Sequence, residues 1–103
     1  MNDYPSFKVK IGGRQYTVVL VPVGVNLPDF HMKENGACDP PYKRDKKIYI
    51  REGLSEKKEF EVFLHELLHA ALWMASEEWI TDTALEIANA FYLQRGWRRK
   101  STE

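Results

Sequence analysis

The chain has one cysteine, Cys38, so it cannot close a disulfide within itself, and the expected compartment is a reducing cytoplasm. It also lacks an excess of charge. Lys and Arg number 15, as do Asp and Glu, so no overall field recruits nucleic acid or an anionic membrane surface. No apolar run is long enough to span a bilayer. The most apolar stretch, residues 16–25, is short and interrupted by Pro22. The first residues, Met1-Asn2-Asp3-Tyr4-Pro5, lack the charged-then-apolar pattern of a signal peptide. There is no internal repeat and no low-complexity tract. With 103 residues, one domain is expected, with a thin core that a bound metal would help to stabilise.

The pattern that is present divides the chain into a β-rich half (residues 1–51), a two-helix half (52–96) and a basic tail (97–103). Phe7-Lys8-Val9-Lys10-Ile11 alternates apolar and polar residues. After Gly12-Gly13 comes the β-branched run Tyr16-Thr17-Val18-Val19-Leu20-Val21, so a hairpin is expected. Residues 22–46 hold four prolines and two glycines and read as loop, with one short strand near Ala37-Cys38. Lys47-Ile48-Tyr49-Ile50-Arg51 alternates again and predicts another strand. Ser55 is an N-cap, with Glu56 and Glu59 in the first turn, and Phe60, Phe63, Leu64, Leu67, Leu68 and Ala71 follow at helical spacing. Ser76 caps a second helix with the stripe Ile80, Ala84, Ile87, Ala88 and Phe91, and Gly96 is a natural stop. Strands followed by helices define an α+β domain.

The chemistry is concentrated in His65-Glu66-Leu67-Leu68-His69. Residues four apart on a helix share a face, so the two imidazoles form a pair suited to zinc. Glu66 lies on a neighbouring part of the same rim. There it can hold and deprotonate a water activated by the metal without binding the metal itself. A catalytic zinc uses three protein ligands, and no histidine follows His69, so the third is expected to be an acid from the second helix. Glu77 is the first choice because it continues the apolar stripe that packs on the first helix. Glu78 is next and forms a pair with Asp82, which could orient His65 or His69; Asp82 and Glu86 are the further candidates for the third ligand. One Zn2+ per chain is expected. The plain alternative is that both histidines are ordinary side chains of an ordinary helix.

These blocks, together with Gly36-Ala37-Cys38-Asp39, Lys47-Ile48-Tyr49-Ile50, Ser76-Glu77-Glu78-Trp79-Ile80, Ala84-Leu85-Glu86-Ile87-Ala88 and Gly96-Trp97-Arg98-Arg99, resemble the gluzincin-like zinc metallopeptidases. Within them, they resemble the very short members found in phages and prophages. The resemblance covers roughly the last two-thirds of the chain. It implies a minimal zincin core: a small sheet, an active-site helix and a glutamate-bearing helix. It also implies that Ile48-Tyr49-Ile50 is a sheet edge that binds a peptide substrate as an added strand. The implied setting is the cytoplasm of a bacterial host. The chain is also similar to the ImmA/IrrE group of repressor-cleaving peptidases. The loop from His69 to the first glutamate is much shorter here, and that substrate class is not carried over.

For the residue that steadies the developing oxyanion, Tyr42, Tyr49, Tyr92 and His31 are of the right type, and none is singled out. Cys38 could reach the metal, but a bystander thiol is the simpler reading. Trp73, Trp79 and Trp97 read as core. Arg95, Arg98, Arg99 and Lys100 read as a solvated end. Two functions are therefore carried forward: a zinc peptidase acting on a peptide or protein, and a zinc-stabilised, catalytically weak protein-binding module. A protein without metal is the third possibility.

Overall fold

A computed structural model of the protein describes residues 4–94. Gly96 and the basic tail at 97–103 lie outside the described residues. Strands β1 (Ser6–Ile11) and β2 (Arg14–Val21) pair antiparallel, with Ile11 opposite Arg14. The two residues between them, Gly12 and Gly13, have φ of 58° and 79°. Positive φ at both central positions is the two-residue turn whose twist matches that of the flanking strands, and glycine adopts it without strain.

Two more strands, β3 (Gly36–Cys38) and β4 (Lys47–Arg51), complete a four-stranded sheet in the order β1-β2-β4-β3. β4 runs parallel to β2, with Val18 opposite Ile48, and antiparallel to β3, with Gly36 opposite Ile50. The fold is thus a mixed α+β globule with two helices, α1 (Glu56–Ala71) and α2 (Glu77–Asn89). Among the described residues no helix is long and apolar enough to cross a membrane.

The sheet is covered on both faces. Tyr16, Val18, Ile48 and Ile50 pack beneath Val62 and Ala70 of α1. On the opposite face Val21, Phe30 and Tyr49 form a second cluster with Val25 and Leu27, residues of the irregular segment that follows β2. This arrangement corrects one expectation. Ile48, Tyr49 and Ile50 are not an edge strand; they occupy an interior strand and all three are buried. An apolar run buried on both faces belongs to the inside of a sheet. The strand that covers it, β3, is only three residues long and leaves no periodic trace in the sequence.

Both helix starts are capped as expected. Lys58 N donates to Ser55 Oγ at 3.2 Å, and Trp79 N donates to Ser76 Oγ at 3.1 Å. The five residues 72–76 turn the chain between the helices, and α2 packs on α1 through Ile80, Ala84 and Ala88, which are fully buried. After α2 a π-helical stretch, Ala90–Gln94, returns to the start of α1, where Phe91 and Tyr92 pack on Phe60.

Candidate metal centre

Along α1, Val62, Glu66 and Ala70 recur every fourth residue and face the sheet. His65 and His69 lie beside that row, half-buried, where α1 meets the start of α2. Ser76 ends the short link, so Glu77 falls in the first turn of α2 within reach of both rings. Its Oε2 lies 2.9 Å from His65 Nε2 and its Oε1 2.9 Å from His69 Nε2. The two Nε2 atoms are 3.2 Å apart. Thr81, one turn on, donates its hydroxyl to Glu77 Oε2 at 3.3 Å and steadies the carboxylate.

These residues form a group that can hold a metal ion, with their ligating atoms within 4.8 Å of one another. The donor set fits zinc. Two imidazole nitrogens and a carboxylate oxygen are among its usual ligands, and at Zn–N distances near 2.0–2.1 Å the edges of a coordination tetrahedron measure about 3.3–3.4 Å. The separations found here are only slightly shorter. Two Nε2 atoms facing each other cannot both donate a proton into the gap, and a cation between them satisfies both lone pairs and the carboxylate.

His69 is held below the usual histidine range, mainly by burial and further by His65, while Glu77 opposes the shift. The direction favours the neutral imidazole that binds metals. Glu66 is 6% exposed, and its carboxyl is pushed up to about 8, first by burial and then by the charges of Glu77 and Glu34. A cation at the three donors would act in the opposite direction on Glu66.

Glu66 lies directly beneath β3. A Cβ on Gly36 would come within 2.7 Å of Val62 Cγ1 and 2.8 Å of Glu66 Oε2. Glycine is required there for space, because the strand backbone passes over the carboxylate. Gly36→Ala is therefore expected to force β3 and α1 apart and to cost about 1–3 kcal/mol, as overpacking does. Urea denaturation measures the loss, and an unchanged midpoint would show that the two elements separate freely.

A cleft of about 330 Å³ opens over these groups, lined by all of β3, by His65, Glu66, His69 and Glu77, and by Glu34 and Trp73. Glu34 and Gly36 arrive from the irregular segment, which Arg51 secures from below. The Arg51 guanidinium donates to the carbonyls of Pro22, Val25, His31 and Glu34 at 2.8–3.1 Å and lies 4.2 Å over the Phe30 ring.

Of the other downstream acids, Glu78, Asp82 and Glu86 are exposed and stand outside the three-residue group. Glu77 is itself exposed, its side chain 67% accessible, so it reaches the histidines sideways and not from the packed face of α2. Cys38 lines the cleft, but its thiol donates to the Asp39 carbonyl at 3.3 Å and is pushed up to about 12, mainly by burial. It too stands outside the group.

The four oxyanion candidates are dispersed. His31 and Tyr42 are exposed on loops, Tyr49 stacks on Phe30 beneath the sheet, and the Tyr92 hydroxyl lies 3.3 Å from Glu56 Oε2 at the start of α1. None of them lines the cleft. Sequence reasoning did not single out Glu34, Gly36, Arg51 or Thr81, and it read Trp73 as core, whereas its ring lies against His69 at the cleft wall.

Compared with known proteins, the chain matches no family model, no curated protein and no solved structure.

Proposed function

We propose that this chain is a zinc-dependent peptidase with a minimal zincin core. The observation that carries the reading is the convergence of His65, His69 and Glu77 from two helices, beside a buried glutamate under a strand that has no partner on its outer side among the described residues. Zinc, when bound, supplies Lewis acidity that lowers the pKa of a water and polarises a carbonyl. His65, His69 and Glu77 hold it. Glu66 takes a proton from the attacking water and returns it to the departing amine. The edge that pairs with a peptide is β3 (Gly36–Cys38), which ends the sheet and whose three residues all line the cleft.

The second reading, a zinc-stabilised protein-binding module with little turnover, is favoured by one observation: none of the tyrosine and histidine candidates for the oxyanion lines the cleft.

Elemental analysis of protein made without a chelating tag should find one zinc per chain. Glu77→Ala should weaken zinc binding by at least about 10²-fold, since even residues that only support a ligand cost 10–100-fold. At a hundredfold excess of zinc over Kd, the metal adds about 2.7 kcal/mol to stability. Chelation should therefore lower the melting temperature of the wild type and leave that of His65→Ala unmoved. A wild-type chain that stays metal-free after incubation with zinc would sink the reading.

A further inference from the structure

Where α1 ends, the chain exposes apolar surface that the fold does not require. Leu72 and Trp79 are each 47% exposed and Met74 is 92% exposed. A single exposed apolar side chain is unremarkable, but here three of them gather with Trp73 around one cavity of about 400 Å³. No charged side chain lines it. The local backbone creates the arrangement. Leu72 leaves the helix at φ −131° and ψ 62°, Ala75 N closes a turn on the Leu72 carbonyl at 2.8 Å, and Ser76 at once restarts a helix.

The cavity adjoins the candidate metal centre through one shared residue. Trp73 lines both the cavity and the cleft over Glu66, and its ring packs 6.3 Å from that of His69. One indole thus separates the donor group from an apolar pocket. We propose that this pocket takes a large apolar side chain of a peptide bound in the cleft, with Trp73 as the shared wall; that this side chain lies close to a scissile bond rests on the peptidase reading above.

The chemistry selects the class of side chain. Two indoles and a thioether offer flat, polarisable surface, which suits phenylalanine, leucine or methionine. A thioether also adapts to more than one shape. An aspartate or serine placed there loses water without gaining a charged partner.

The test reads binding, so that it does not depend on turnover. Glu66→Gln protein incubated with zinc is titrated into fluorescently labelled alanine hexapeptides, each carrying one Phe, Leu, Ser or Asp, and anisotropy is followed. The Phe and Leu peptides should bind at least about tenfold more tightly than the Ser and Asp peptides, a preference within reach of one apolar pocket. Adding Met74→Glu and Trp79→Ala should reduce that preference below about threefold, with zinc content and melting temperature near those of the parent. Met74→Glu alone, at a position 92% exposed, should lower it in the same direction without touching the packing.

Equal binding of all four peptides, or a preference that survives both substitutions, overturns the pocket. Discrimination in the Glu66→Gln protein, with no cleavage by wild type, favours the binding module over the peptidase and leaves the pocket standing. Cleavage by wild type without regard to the apolar side chain refutes the pocket alone.

Discussion

Glu66→Gln is expected to lower peptide cleavage by at least about 10²-fold, and by up to about 10⁴-fold, while leaving the zinc content at one per chain. That range is what a positioned acid–base group contributes. Glu66 occupies the right place for such a group. It neighbours His65 on α1 but is not among the three converging donors, and it lines the cleft beneath Gly36. Glutamine preserves the size of the side chain and its fit under the strand, and it is accommodated in a helix about as well as glutamate. It also removes a carboxyl that burial disfavours in its charged form, so the metal-free variant should melt no lower than the wild type. Cleavage of a mixed peptide library, read by mass spectrometry, is paired with zinc analysis. Loss of zinc in this variant would mean that Glu66 is a ligand. Cleavage at the wild-type rate would remove it from the chemistry. A wild type that holds zinc and cleaves nothing would favour the binding module.

The second large effect falls away from the metal. Arg51→Met is expected to destabilise the protein by at least about 3 kcal/mol, a large part of the roughly 5–15 kcal/mol that holds a domain together. Arg51 is 4% exposed, and its guanidinium donates to four main-chain carbonyls spread over residues 22–34 while lying over Phe30. Methionine fills the volume but removes every side-chain donor: the Pro22 and His31 carbonyls keep one main-chain donor each, from Val25 N and Glu34 N, while those of Val25 and Glu34 lose the guanidinium with nothing in its place, which is the expensive side of hydrogen-bond energetics. Lysine should recover only part of the loss, because a compact ammonium cannot reproduce the planar fork or the stacking. Urea denaturation gives the magnitude, and a shift of less than about 1 kcal/mol would show that the segment is held by Phe30 and its apolar neighbours instead. Because the same segment delivers Glu34 and Gly36 to the cleft, a folded Arg51→Met protein should also cleave more slowly.

The contrast between these two sites explains what was legible in the sequence. Gly12-Gly13, Ser55 and Ser76 act on their own neighbours, so the hairpin and both helix starts could be read directly. The pairing of His65 with His69 follows from helix geometry alone. Glu77 was reached by elimination and by an argument from the packed face. It does meet the histidines, but from an exposed position that only the short link 72–76 makes possible.

What escaped was non-local or carried by the backbone. The pairing of β3 with β4 brings Gly36 opposite Ile50, and three residues carry no period by which to foresee it. The partners of Arg51 are carbonyls, which every residue possesses, so composition offers no sign of them. The need for glycine at position 36 is set by Val62 and Glu66, far along the chain.

The short turn between the helices also bears on the order in which the molecule assembles. The three candidate metal donors fall between residues 65 and 77, so bringing them together closes only a small loop, and that entropy is low. The parallel union of β2 with β4 must instead span the whole irregular segment and the three-residue strand within it. Contacts of that separation form late and set the pace of folding. An ion held there would let the helical half organise as an early nucleus, with the sheet as the slow step, and zinc would then be expected to accelerate refolding as well as oppose unfolding.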